Sequence, residues 1–148
     1  MIKLNMPEYG HKIKKINNEL YIFDHIRRKY LLLTPEEWVR QNFSNYLQEE
    51  LNYPKALMKH ETGLKYDRKL KRSDILVYDR EGKPFLLVEC KSMKIKLSQD
   101  TLDQVAQYNY TIKAPFIVVT NGISMLCYEV DHQNKTLNKL ESLPFFGD

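Results

Sequence analysis

The sequence predicts an α/β (α+β) fold: a mixed central sheet flanked by helices, with a β-hairpin at the N-terminus. Three observations lead there. Short apolar runs bounded by turn residues, ILV at 75–77 and FLLV at 85–88, have the length and composition of strands covered on both faces. Two longer stretches, beginning after Thr34 and after Ser98, carry helix-start chemistry. Asn17-Asn18 sits between two β-rich segments, and both side chains tolerate the left-handed backbone of a tight turn.

The elements follow in order. Residues 1–11 lack periodicity and are expected to be a loose lead-in. HKIKKI and ELYIFD form a hairpin around Asn17-Asn18, and residues 25–33 are extended chain feeding the next element. Thr34-Pro35-Glu36-Glu37 starts the first long helix, with a hydroxyl cap, proline at the first helical position and glutamate three residues after the cap. Val39, Phe43, Tyr46, Leu47 and Leu51 form its apolar stripe, and Pro54 forces an end before it. Three strands come next, at roughly 56–66, 74–78 and 85–91, with Glu81-Gly82-Lys83 turning between the last two. Ser98 caps a second helix running to about Lys113, with Asp100 and Asp103 near its positive end. PFIVVT and SMLCYEVD are strands joined by Asn121-Gly122. Beyond Asp131 the chain is polar and irregular, and docking and fraying are both open to its PFFGD tail. The whole reads as one domain, with a lead-in and hairpin over 1–33, a core over 34–131 and a tail over 132–148.

Composition excludes several classes. At 148 residues with 43% hydrophobic and 28% charged content, neither disorder nor a fibrous repeat is indicated. Apolar runs are too short to span a bilayer, and no secretory h-region opens the chain, so the expectation is a cytoplasmic protein without membrane association. Cys90 and Cys127 lie in apolar strand-like runs and are expected as buried thiols. His11, His25, His60 and His132 are not paired at zinc-ligand spacing. No G-xxxx-G-K-[ST] loop is present, which excludes a phosphate-loop motor in this chain. The net charge of +4 is unevenly spread: Lys65, Arg68, Lys69, Lys71 and Arg72 precede one strand, and Lys91, Lys94 and Lys96 follow another. Arg72, Lys71 and Lys94 are the candidate phosphate contacts, Arg72 having a salt bridge to a site carboxylate as its alternative role. No basic run interleaved with aromatics marks a single-strand stacking platform, although the 10 tyrosines leave one open.

The chemistry is expected at two carboxylates. Asp74 opens the ILVY run and Glu89 ends the FLLV run, where an unpaired buried charge is costly. Lys91 lies two residues after Glu89 and so on the same strand face. A hairpin joins the two strands, so the carboxylates can approach, and two such groups repel unless a cation lies between them. Oxygen ligands of this kind suit Mg²⁺ or Mn²⁺. Asp74, Glu89 and Gln104 fall fifteen residues apart, and Tyr108 follows Gln104 by one helical turn.

SDILVYD, VECK and QVAQY resemble the motifs of PD-(D/E)XK nucleases with their helical Q-xxx-Y signature. KYLLLTPEEWVRQ and VVTNG narrow the resemblance to the N-terminal nuclease domain of type I restriction enzyme R subunits, over about residues 27–131. The resemblance implies a restriction-endonuclease-like fold and Mg- or Mn-dependent hydrolysis of DNA to 5′-phosphate and 3′-hydroxyl ends. Other restriction-system subunits become candidate partners. It implies Asp74, Glu89 and the backbone carbonyl of Cys90 as metal ligands and Lys91 as the catalytic lysine, with Gln104 positioning lysine or DNA and Tyr108 supporting it. A first-helix glutamate often completes the metal shell in this superfamily. Glu37 fits by position, though it is also the capping-box partner of Thr34, and Glu61 is the alternative, with an edge-strand surface charge as its other reading. The competing functions are a non-catalytic DNA-binding or assembly module on the same fold and an RNA-processing nuclease.

Overall fold

The computed structural model describes residues 2–62 and 73–146, with residues 61, 62, 73 and 74 described in backbone only. Strands β1 (Ile13–Ile16), β2 (Glu19–Asp24) and β3 (Lys29–Leu32) form a three-stranded antiparallel sheet. Asn17 and Asn18, at φ 51° and 67°, make the first turn in the left-handed region foreseen for them. The segment expected only as extended chain is thus partly a third strand, reached through a turn ending at Arg28 (φ 58°).

Helix α1 (Pro35–Leu51) starts as its residues dictate, with Thr34 Oγ1 accepting from the Glu37 N–H at 3.1 Å. It ends at Asn52 in the left-handed conformation, two residues before the proline. A single 3-10 turn (Lys55–Leu57) leads into β4 (Met58–Thr62), followed by β5 (Ser73–Tyr78), β6 (Pro84–Cys90), α2 (Gln99–Ile112), β7 (Phe116–Thr120), β8 (Met125–Asp131) and β9 (Thr136–Leu140). These six strands form one mixed sheet in the order β4-β5-β6-β7-β8-β9, in which only β6 and β7 are parallel. Helix α2 is the crossover that this parallel pair requires.

Alternate residues of the central strands supply two cores. Ile75, Val77, Leu86, Val88 and Val118 pack with Val39, Phe43 and Leu47 of α1. Leu76, Leu87, Ile117 and Val119 pack with Leu102 and Val105 of α2. The consecutive apolar residues of ILV and FLLV therefore serve opposite faces, each fully buried side chain contributing about 1.5–3 kcal/mol. Cys90 and Cys127 are buried free thiols, and burial pushes the Cys127 thiol up to about 11.

The lead-in and the stretch just beyond Asp131 depart from expectation. The lead-in is docked: Leu4 is buried, the Asn5 N–H donates to the Gly122 carbonyl at 2.8 Å, and Trp38 Nε1 donates to the Ile2 carbonyl at 2.9 Å. The region beyond Asp131 contains β9, paired antiparallel with β8 across a loop that the Asp131 carboxylate closes by accepting from the Gln133 and Asn134 N–H groups. The tail docks too, with Leu143 buried and the Tyr53 hydroxyl donating to the Pro144 carbonyl at 2.6 Å. No helix among the described residues is long and apolar enough to cross a membrane.

Candidate active site

Glu89 is positioned by the period-2 alternation of β6, which turns it to the same face as Leu87 and hence toward α2. Its side chain is 2% exposed, and neither carboxylate oxygen is open to solvent. Lys91 lies just past the strand, where its N–H donates to the Thr120 carbonyl of β7 at 2.8 Å and so extends the parallel ladder by one bond. Its Nζ stands 3.9 Å from Glu89 Oε1, and its side chain is 15% exposed. The pair thus combines a sealed carboxylate with an ammonium that still reaches solvent.

The backbone register brings two further acidic positions alongside. Position 74 on β5 lies directly opposite Glu89, and position 61 on β4 lies directly opposite position 74. Glu61, Asp74 and Glu89 therefore occupy one cross-strand row over three neighbouring strands. Directly opposed residues have Cβ atoms about 4.5–5.5 Å apart, and like charges there destabilise the sheet. Cys90 closes the same strand end, paired with Ser73 on one side and Thr120 on the other. Among the residues whose side chains are described, no three His, Cys, Asp or Glu gather to hold a metal.

The loop after β6 is braced. Ser92 Oγ accepts from the Lys94 N–H at 3.2 Å, and Asn121 Nδ2 donates to the Ile95 carbonyl at 2.7 Å. Lys94 is exposed on this loop, three residues beyond Lys91. Asn121, expected only as a turn residue, thus ties the β6 loop to the β7–β8 turn. Gln104 is exposed on α2 and makes no hydrogen bond to Glu89 or Lys91 among the described residues, while Tyr108, one turn on, packs at the edge of the α2-side core. Arg72 and Lys71 lie outside the described residues.

Glu37 keeps one half of the capping box expected of it and directs its carboxylate elsewhere. Its N–H takes the Thr34 cap, but its carboxylate does not return to the Thr34 N–H, which donates to the Leu32 carbonyl instead. Glu37 Oε2 accepts from Arg40 Nε at 2.9 Å and from Gln41 Nε2 at 2.8 Å, and Oε1 accepts from Arg40 Nη2. Arg40 is completely buried, so a carboxylate beside it is the condition for its charge to remain there. This gives Arg40 and Gln41 a role that their sequence positions alone did not reveal.

Next to this group lies a second buried network. Asp24 Oδ2 is 2.9 Å from His60 Nδ1, and His60 Nε2 is 2.9 Å from Ser44 Oγ. Burial, with the Arg40 charge behind it, lowers the His60 pKa against the raising effects of Asp24 and Glu37. Burial alone would raise the Asp24 pKa, but the His60 hydrogen bond and charge and the Arg27 and Ile26 N–H groups hold its carboxyl well below the usual range. A neutral His60 that donates from Nδ1 to Asp24 and accepts the Ser44 hydroxyl proton satisfies every partner. Asp, His and Ser in this sequence would suggest nucleophilic hydrolysis, yet Ser44 is 2% exposed and no substrate can reach it. The network pins β2 of the small sheet to α1 and β4.

The architecture is the restriction-endonuclease-like class expected from the sequence: a mixed sheet between two helices, with Glu-x-Lys at the end of a central strand. Residues 35–144 match the family model described as type I restriction enzyme R protein N terminus (HSDR_N), and the chain belongs to that family. No curated protein and no solved structure matches the chain.

Proposed function

We propose that this chain is a magnesium- or manganese-dependent DNA nuclease domain of a restriction system. The observation that carries the reading is the row of positions 61, 74 and 89, ending in a solvent-sealed Glu89 with Lys91 Nζ 3.9 Å away. Three adjacent carboxylate positions form an unfavourable arrangement for a sheet and a favourable donor set for a hard divalent cation. In this reading Asp74, Glu89 and the Cys90 carbonyl hold the ion, with Glu61 rather than Glu37 adjoining them, because Arg40 and Gln41 already occupy the Glu37 carboxylate. When bound, such an ion supplies Lewis acidity to a phosphodiester and acidifies water.

The chain's own residues do the rest. Lys91 orients the attacking water and offsets the negative charge that builds on the phosphoryl oxygens. Water oxygen bonds to phosphorus as the bond to O3′ breaks, and O3′ leaves with a proton, giving a 5′-phosphate and a 3′-hydroxyl. Gln104, at the solvent end of its helical row, orients DNA or the lysine, and Tyr108 backs it. Lys94, Lys71 and Arg72 contribute phosphate contacts, which position a strand without reading its sequence. The family name ties the chain to type I restriction enzymes, so DNA and the other subunits of such a system are its partners here.

Calorimetric titration with Mg²⁺ or Mn²⁺, run beside nicking of supercoiled plasmid, tests the reading. Wild type should bind the ion and nick. Asp74→Ala should lose both signals, whereas Lys91→Ala should keep the binding heat while nicking falls by about 10²–10³. A wild-type protein that gives no binding heat with either ion would refute it.

A further inference from the structure

The outward face of the three-stranded sheet combines aromatic rings and lysines in a way no linear segment displays. Phe23 on β2 pairs with Tyr30 on β3, and Tyr21 pairs with Lys14 on β1 and with Leu32 on β3. The Phe23 N–H donates to the Lys12 carbonyl at 2.9 Å, which brings Lys12 into the same row as Phe23. Ring centroids of Phe23 and Tyr30 are 5.1 Å apart, and His25 adds a third ring 4.9 Å from Phe23. Lys12 Nζ sits 5.6 Å over the Phe23 ring, and Lys14 Nζ 3.9 Å over the Tyr30 ring. The opposite face carries Ile22 and Asp24, both fully buried where they meet the body, whereas Leu32, in the Tyr21 row, remains 45% exposed.

The segment that builds this sheet is basic as a whole. Residues 11–33 hold six Lys and Arg against Glu19 and the buried Asp24, an excess equal to the whole chain's net charge of +4. This sheet ends before residue 35 and lies outside the family match.

We propose that this face binds single-stranded DNA, its rings stacking on unpaired bases and its lysines pairing with the backbone between them. Duplex hides its base faces within the stack, so these half-buried rings gain little from it, whereas every unpaired base offers a π-face. A protein partner fits less well, because interface centres are depleted in lysine and here lysines stand over the rings. On binding, the lysines swing from ring to phosphate, exchanging a cation–π contact for a phosphate contact while a base takes their place on the ring. The Asp24–His60 contact fixes the face to β4, whose next residue is the first acidic position of the row. The inference rests on the nuclease reading only in choosing DNA over RNA.

The test is fluorescence anisotropy of the full chain with labelled oligothymidine of about 12 nucleotides, within the ~4–16 footprint of single-strand modules. EDTA keeps binding separate from cleavage. Phe23→Leu combined with Tyr30→Leu should weaken binding between about 5-fold and about 150-fold for each stacked base lost, and Phe23→Tyr should retain it. Lys12→Gln with Lys14→Gln should flatten the slope of log affinity against log salt by about 1.4. Phe23→Leu should leave the weaker affinity for a duplex of equal length unchanged. Circular dichroism melts verify folding, and the well-folded Phe23→Tyr protein guards against a collapsed leucine variant. Unchanged oligothymidine affinity in a folded Phe23→Leu protein overturns the proposal, as does a wild type that binds no oligonucleotide, which would leave a protein-docking face. Tighter binding of oligouridine than of oligothymidine overturns the choice of DNA. Absence of plasmid nicking would count against the nuclease reading alone, since no binding measurement here depends on it.

Discussion

The two faces of the central sheet each bury charged groups, and they treat them differently. On the α1 face, Glu37 receives hydrogen bonds from Arg40 and Gln41, and His60 engages Asp24 and Ser44 through both ring nitrogens. On the α2 face, Glu89 has Lys91 3.9 Å away, at ion-pair range but beyond a hydrogen bond, and shares a cross-strand row with two more acidic positions. Burying polar groups is tolerable when each is bonded, so the α1 networks spend their bonding capacity on one another and act as struts. The α2 side instead lines up three acidic sequence positions in one cross-strand row, with a partly exposed ammonium beside the last of them, and in the nuclease reading proposed above that row serves a ligand.

The contrast can be broken most forcefully at Arg40. Arg40→Ala strands the buried Glu37 carboxylate and should cost about 3–5 kcal/mol. In a chain of this size that lowers the melting temperature by about 6–20 °C. Thermal melts should show Glu37→Met combined with Arg40→Leu recovering most of the loss. A single Arg40→Ala protein that melts like wild type would show the network to be no strut.

A smaller effect is expected from pH. Because burial holds His60 below its ordinary value of 6.5, the unfolded chain takes up that proton first, and stability falls as pH drops below about 6.5. Asp24 is depressed from 3.8, so its contribution is likewise present above that value and lost below it. The His60 slope is at most about 1.4 kcal/mol per pH unit. Urea unfolding across this range should show His60→Gln with a flatter profile, and an unaltered profile would mean that His60 is charged in the fold.

The least stability change is expected at Gln104, which is exposed on α2. Gln104→Ala should leave stability within about 0.5 kcal/mol while slowing nicking about 2- to 10-fold, the equivalent of one hydrogen bond. A shifted melt with unchanged nicking would move Gln104 from the site to the scaffold.

Much of the fold was legible because its signals are local. Thr34-Pro35, Ser98, Asn17-Asn18 and Asn121-Gly122 act on backbone within a few residues of themselves, and all appear where their chemistry puts them. Strand β9 was not, because its residues alternate weakly and its pairing with β8 decides the matter. The docking of residues 2–5 depends likewise on Gly122, more than a hundred positions away: its φ of +86° suits glycine, and a Cβ there would come within 2.7 Å of Leu4. At the site, period 2 sufficed to put Glu89 and Lys91 together, and the hairpin brought position 74 across. The alignment of position 61 with them required the β4 register. Arg40 was illegible for a related reason, since a charged residue in a helix reads as solvent-facing until its buried partners are known.

The turn between β5 and β6 has a practical value. Asp79 Oδ1 accepts from the Glu81 and Lys83 N–H groups, so the bend is self-supporting, and it caps the end of the hairpin away from Glu89. Five residues of strand put about 17 Å between them. A fluorophore or surface tether attached at Glu81 would therefore present the acidic end of the sheet outward, leaving it unobstructed for single-molecule observation.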